Sequence, residues 1–208
     1  MTIYHLICGI LYVLTKLTNS LTVKGKENIP KGEPFVLTCT HTTFLDILML
    51  GTALYPRPIY FMAKKELFEG SAKNIFFRSL KAFPVNRANP GPSAVKIPLK
   101  LLKEGKCVGI FPTGTRSTEN IAMKKGAVSI ALKSKSPLVP AVYNGPLRIS
   151  DFLKGQKAEI IIYPPIYVKD GNGLNRTEAT DKYMKELEQI IKGQTKHSVP
   201  EVKLKKDS

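Results

Sequence analysis

At 208 residues, with 43% hydrophobic and 23% charged side chains, the chain has an ordinary globular mixture and enough length for one domain with a substantial core, which excludes a disordered middle. Its 32 Lys and Arg against 16 Asp and Glu give a formal net charge of +16, a field that draws polyanions or anionic surfaces without selecting among them. There is no Trp, and the aromatics sit in apolar runs such as Ile75-Phe76-Phe77 instead of alternating with cations as stacking platforms do, which sets nucleic acid aside as a partner.

In chain order, Ile3, Leu6, Ile7, Ile10, Leu14 and Leu17 recur at helical spacing, broadened by Leu11, Tyr12 and Val13, with Lys16 the first charge. A helix over that stretch extends about 22 Å, short of the roughly 30 Å hydrocarbon core. It is expected to associate with one leaflet; the alternative is a helix packed on its own domain. The run lacks the basic flank and small-residue cleavage site of a signal peptide. Residues 1–20 thus read as a membrane-associating segment, 21–193 as the domain and 194–208 as a basic tail. That tail either touches an anionic bilayer or is simply solvated.

Leu21 to Lys26 reads as a short edge strand, and 30–34 as a turn into the buried strand Phe35-Val36-Leu37-Thr38-Cys39. A helix follows, marked by Phe44, Ile47, Leu48, Leu50 and Leu54. Ile59 to Ala63 is the next strand, and a helical stretch carries Lys73, Arg78 and Lys81 beside Ile75, Phe76, Phe77 and Leu80. The helix around 93–104 contains Pro98, which is expected to bend it or delay its start. Strands at Cys107 to Phe111 and Leu138 to Val142 flank a helix from Gly126 to Ser134. Ala158 to Tyr163 is a later strand, and Ala179, Tyr183, Leu187 and Ile191 mark a final helix. The alternation predicts an α/β fold: a single domain with a mostly parallel central sheet flanked by helices, its functional loops at strand ends.

Cys8, Cys39 and Cys107 are odd in number, widely spaced and set among apolar neighbours, so they read as buried hydrophobes in a reducing compartment. His5, His41 and His197 lie far apart in sequence and form no ligand cluster, so no metal or bound cofactor is expected.

The chemistry concentrates in Thr40-His41-Thr42-Thr43-Phe44-Leu45-Asp46, where the buried strand gives way to a helix. A carboxylate accepting the imidazole Nδ1 proton leaves Nε2 free to act as a general base. Five helical steps leave two side chains roughly 140° apart, so His41 and Asp46 cannot share a regular helical face. They meet if His41 lies in the turn and Asp46 in the first helical turn; otherwise they are merely neighbours.

Two further clusters follow strand-like runs. Phe111-Pro112-Thr113-Gly114-Thr115-Arg116-Ser117 offers a glycine for close backbone approach, hydroxyl donors and a guanidinium able to grip phosphate, with Lys124 adding charge. It lacks the Gly-Lys-Ser/Thr ending of a Walker loop, and the alternative is an ordinary turn. Phe83-Pro84-Val85-Asn86-Arg87 ends in a second Arg, which taken alone is surface decoration.

These blocks, with Leu138-Val139-Pro140-Ala141-Val142 as a fourth and Met62-Ala63-Lys64-Lys65-Glu66-Leu67 between, resemble the glycerolipid acyltransferase family, and within it the 1-acylglycerol-3-phosphate O-acyltransferases. The resemblance runs from about Val23 to Tyr163. It implies that His41 deprotonates the acceptor hydroxyl, that Asp46 orients and supports His41, and that the hydroxyl attacks an acyl thioester directly. Arg87 and Arg116 would hold the acceptor phosphate, with Thr113, Gly114, Thr115, Lys64 and Lys124 also assigned to substrate. Backbone N–H groups near the helix after His41 are the expected donors to the developing oxyanion.

The implied donor is acyl-CoA or acyl-ACP, the acceptor a lysophospholipid and the product phosphatidic acid. The expected location is the cytoplasmic face of an anionic membrane, peripheral or monotopic. Thr40 stands where the family usually has Asn, Lys81 or Ala82 where it often has Gly, and Thr113 where it usually has Glu. The last departure bears on the acceptor, and glycerol 3-phosphate or another lysolipid is the alternative. A non-catalytic anionic-membrane-binding protein is the reading from a different class.

Overall fold

The structure is a computed structural model describing residues 2–39, 43–86, 89–111, 125–169 and 175–195, the last four of these as backbone only. Helix α1 (Ile3–Thr18) ends at Asn19, whose left-handed backbone turns the chain into strand β1 (Leu21–Lys24). Strand β2 (Val36–Cys39) is buried throughout, as its unbroken apolar run requires of a central strand. Then come α2 (Phe44–Ala53), β3 (Ile59–Lys64), α3 (Ser71–Ser79), β4 (Ala82–Val85), α4 (Ser93–Lys103), β5 (Cys107–Ile110), α5 (Gly126–Ser134), β6 (Leu138–Asn144), α6 (Ile149–Leu153), β7 (Ala158–Ile162) and α7 (Arg176–Thr195).

Seven strands form one sheet in the order β1-β7-β6-β2-β5-β3-β4. The five strands β6, β2, β5, β3 and β4 are mutually parallel, so their C-terminal ends share one edge. Strand β7 is antiparallel to β6 and parallel to β1, so the last two strands run the other way. The mostly parallel α/β sheet expected from the alternation is present, and β1 lies at its edge.

Alternation along each strand divides the core in two. Leu37 and Cys39 of β2 pack with Leu45, Met49 and Leu50 of α2 on one side. Val36 of the same strand packs with Val128 of α5 and Leu187 of α7 on the other. Helix α1 lies against α2, where Gly51 permits contact: a Cβ there would stand 3.2 Å from both Cys8 Sγ and Tyr4 Oη. Gly109 of β5 leaves room for the ring of Phe61, which stacks on Phe111 at 5.9 Å between centroids.

Several local expectations are revised. Strand β4 is the strand-like run expected before Arg87, and its Pro84 is tolerated because β4 is an edge strand. Pro140 sits inside the sheet. Its carbonyl accepts from Tyr163 N, and a residue's N and C=O point to the same neighbour, so the missing donor faces the end of β7 and spares the ladder with β2. Lys81, assigned to a helical stretch, follows α3 with a positive φ of 62°. Pro98 does not delay α4, which starts at Ser93 from a Gly91-Pro92 turn. The short α6 was not expected. Cys8, Cys39 and Cys107 are buried and unbridged, as read from the sequence.

Candidate active site

Adjacent strands β2 and β5 deliver the chain to opposite sides of the sheet. From the end of β2 it passes into α2, on the side where Leu37 points; from the end of β5 it leads to α5, on the side where Val36 points. Such a reversal makes a crevice outside the carboxyl ends of the two strands, the usual ligand position in a parallel α/β sheet. Residues 40–42 follow β2 and residues 112–124 follow Phe111, so the first and third sequence clusters attach here. Strand β4 ends at the same edge, two residues before Arg87.

His41, Arg87, Thr113, Gly114, Thr115, Arg116 and Lys124 lie outside the described residues. Asp46 and Lys64 lie within them. Asp46 occupies the first turn of α2 and is fully buried. Its Oδ2 accepts from Thr43 N at 3.0 Å, while Thr43 Oγ1 accepts from Leu45 N at 3.5 Å, a reciprocal cap of the helix start. The helix dipole favours an anion at that position. Asp46 lies in the first helical turn, the position the sequence reading gave it. At the start of the helix, where oxyanion donors are expected, the N–H groups of Thr43 and Leu45 are engaged in the cap.

Sequence reasoning missed three contributors. Thr43, besides capping, donates its hydroxyl to the Leu147 carbonyl at 2.7 Å. The buried Tyr143 of β6 donates to the Pro146 carbonyl at 3.0 Å and so braces the turn that carries Leu147. Burial, then the nearby Asp46 charge, pushes the Tyr143 phenol up, which keeps it a donor. The Thr43-x-x-Asp46 spacing before an apolar run was the available signal for the cap. The Thr43–Leu147 bond joins chain sections about a hundred residues apart and has no sequence signature.

Beside this edge lies a cavity of about 410 Å³ walled by α1, α2, β3 and α3. It begins at Phe44, next to the Thr43 cap, and is bounded by Tyr4, Leu48, Met62 and Phe77; among the described residues Lys64, at the end of β3, is its one charged lining residue. Its volume suits a small-molecule site, and its lining suits an apolar ligand. Lys64 Nζ also stands 3.6 Å from Glu66 Oε1. The Cys8 thiol on the cavity wall is pushed up by burial, as is that of Cys107, so neither is a ready thiolate nucleophile. A hollow on α7, lined by Glu178, Asp181 and Lys182 among others, is a charged depression on one helix.

A family model described as "Acyltransferase" matches residues 20–144, more than half of the chain. The chain is 43% identical over 192 residues to the 1-acyl-sn-glycerol-3-phosphate acyltransferase of Bacillus subtilis (strain 168), covering 89% of this chain and 96% of that protein. It is 29% identical to a protein of the same name from Streptococcus pneumoniae over 80% of this chain and 63% of that one. Its fold is similar to the crystal structure of the 1-acyl-sn-glycerophosphate (LPA) acyltransferase PlsC from Thermotoga maritima, with a TM-score of 0.62, 25% identity and coverage of 89% of this chain and 79% of that one.

Proposed function

Because the chain belongs to the acyltransferase family, we propose that this O-acyltransferase moves a fatty acyl group from a thioester donor to the free hydroxyl of 1-acyl-glycerol-3-phosphate, giving phosphatidic acid. The observation that carries the reading is the buried Asp46 carboxylate at the head of α2, set at the edge where β2 and β5 diverge and beside an apolar cavity.

In this reading His41 Nε2 takes the proton of the acceptor hydroxyl as its oxygen attacks the thioester carbonyl carbon. Asp46 holds the imidazole from behind and stabilises its positive charge. The tetrahedral intermediate then expels the thiolate, which takes the proton back from His41. One C–O bond replaces one C–S bond, and a free thiol leaves. Arg87 and Arg116 hold the acceptor phosphate by paired hydrogen bonds, with Thr113, Gly114, Thr115 and Lys124 around them. Lys64 steers anionic groups to the mouth of the cavity, and the cavity takes an acyl chain.

The substrates are lipids, and the reading places the protein on the cytoplasmic face of an anionic membrane, peripheral or monotopic. Support comes from α1: Tyr4, Cys8 and Thr15 pack inward, whereas Ile3, Leu6, Ile10, Val13, Leu14 and Leu17 are exposed. The helix thus packs on its own domain by one face and offers the other to lipid. Among the described residues no helix is long and apolar enough to cross a membrane.

The test is thiol release from acyl-CoA and from acyl-ACP with 1-acyl-glycerol-3-phosphate, glycerol 3-phosphate and other lysolipids as acceptors. Turnover with the first acceptor, abolished in a folded His41→Ala variant, is expected. Equal turnover in that variant excludes the base, and turnover only with another acceptor overturns the substrate assignment while sparing the chemistry.

A further inference from the structure

The described surface is two-sided. Large apolar side chains left exposed come from α1, from Phe44, Leu67, Ile75 and Phe76, and from the segment around α6; Tyr167, bonded to Glu33, is the exception. None comes from α4, α5 or α7, which pack on the other side of the sheet. Those helices turn Lys100, Lys103, Lys182 and Lys185 outward instead.

Helix α6 is pinned to the same core as α2 by Phe152, so it shares a layer with α1 and α2. Around it Leu147 and Ile149 are each 54% exposed and Leu153 is 79% exposed. Arg148, Lys154 and Lys157, all exposed, rim these apolar tips. Apolar tips within a cationic rim, on the side that also bears the apolar stripe of α1, match a bilayer with anionic headgroups. The residues stand out as exposed tips, Leu153 furthest. The +16 net charge adds attraction to the same surface.

We infer that α6 is a second bilayer contact, inserting Leu147, Ile149 and Leu153 beside α1. The inference rests on the membrane reading of α1 proposed above. It also gives the lipid surface a link to the site, since the Leu147 carbonyl takes the hydroxyl of Thr43 at the head of α2.

The chain lacks Trp, so Leu153→Trp supplies a single indole in the full-length protein. With vesicles of phosphatidylglycerol and phosphatidylcholine carrying brominated acyl chains, its emission shifts to the blue and is mostly quenched. A Lys185→Trp control on α7 keeps its emission. In sedimentation with unbrominated vesicles of the same headgroups, Ile149→Glu with Leu153→Glu weakens binding about tenfold or more. Its turnover of a water-soluble short-chain acceptor stays unchanged. Ile10→Glu with Leu14→Glu on α1 is the companion variant.

If the α1 pair is released while the α6 pair binds like wild type and the Leu153→Trp indole is not quenched, the α6 contact is overturned and the α1 reading stands. If the wild type ignores the vesicles, both fall. Normal vesicle binding by the α6 pair, with turnover lost only when acyl carrier protein is the donor, makes α6 a protein-docking surface and overturns the inference.

Discussion

The hydroxyl of Thr43 donates to the carbonyl of Leu147 at 2.7 Å, joining the head of α2 to the turn after β6 across 104 positions of sequence. Thr43→Val removes the side-chain half of the cap and this bond, leaving the Leu45 N–H and the Leu147 carbonyl without their hydroxyl partner. It is expected to lower stability by about 1–2 kcal/mol, measured by urea unfolding. Through Asp46 it also lowers kcat more than it raises KM. Thr43→Ser keeps the oxygen and is expected to restore both; a Ser variant as impaired as Val would mean that the methyl, not the hydrogen bonds, matters.

Asp46→Asn preserves shape and an acceptor oxygen for Thr43 N while removing the charge behind the imidazole. Turnover is expected to fall by about a hundredfold or more with the fold retained. Circular dichroism and steady-state kinetics check this together. An active, folded Asn variant would leave Asp46 only its capping role.

Gly109→Ala would place a Cβ 2.4 Å from Cδ1 of Phe61. Because the ring is held between that strand and Phe111, the clash is expected to cost about 1–3 kcal/mol. Phe61→Leu in the same chain relieves part of it. The coupling is read from a double-mutant cycle in urea, and additive effects would place the clash elsewhere.

Leu48→Trp narrows the apolar cavity beside α2. The preferred acyl donor is expected to shorten, and each methylene excluded from the cavity lowers kcat/KM roughly fourfold, from about 0.8 kcal/mol per buried CH2. A panel of acyl-CoA chain lengths measures the shift. An unchanged chain-length profile would separate the cavity from the acyl group.

Burial pushes up the Tyr143 phenol and the Cys8 and Cys107 thiols. A group whose folded pKa lies above its unfolded one binds more protons when folded, so stability falls as pH rises. The loss begins as pH passes the ordinary thiol value of about 8.5 and steepens above the ordinary tyrosine value of about 10. Urea midpoints from pH 7 to 11 are expected to show this. Tyr143→Phe should flatten the upper part of the profile.

The parts of the fold that could be read directly were those set by continuous local pattern. The run Phe35 to Cys39 gave a buried strand because both sides of β2 are covered, and Gly126 to Ser134 gave α5 to the residue. Strand β4 showed as the short apolar run before Arg87, but the edge position that accommodates its Pro84 depends on how the strands pair. Helix α6 has too few residues for a period to show. The reversed direction of β7 and β1 depends on how sections far apart in sequence pair. At the site, Asp46 was found from its neighbours in sequence, while the Thr43–Leu147 bond and the cavity exist only where separate elements meet.

Helix α1 ends one left-handed residue before Ser20, whose carbonyl already accepts from Ala158 N at 2.8 Å at the head of β7. There is no slack between the first helix and the sheet. If that helix floats in lipid, the body is a raft rather than a buoy on a chain. The height and tilt of the β2–β5 edge over the headgroups are then set by geometry, so acceptors drifting in the plane meet it at a constant angle.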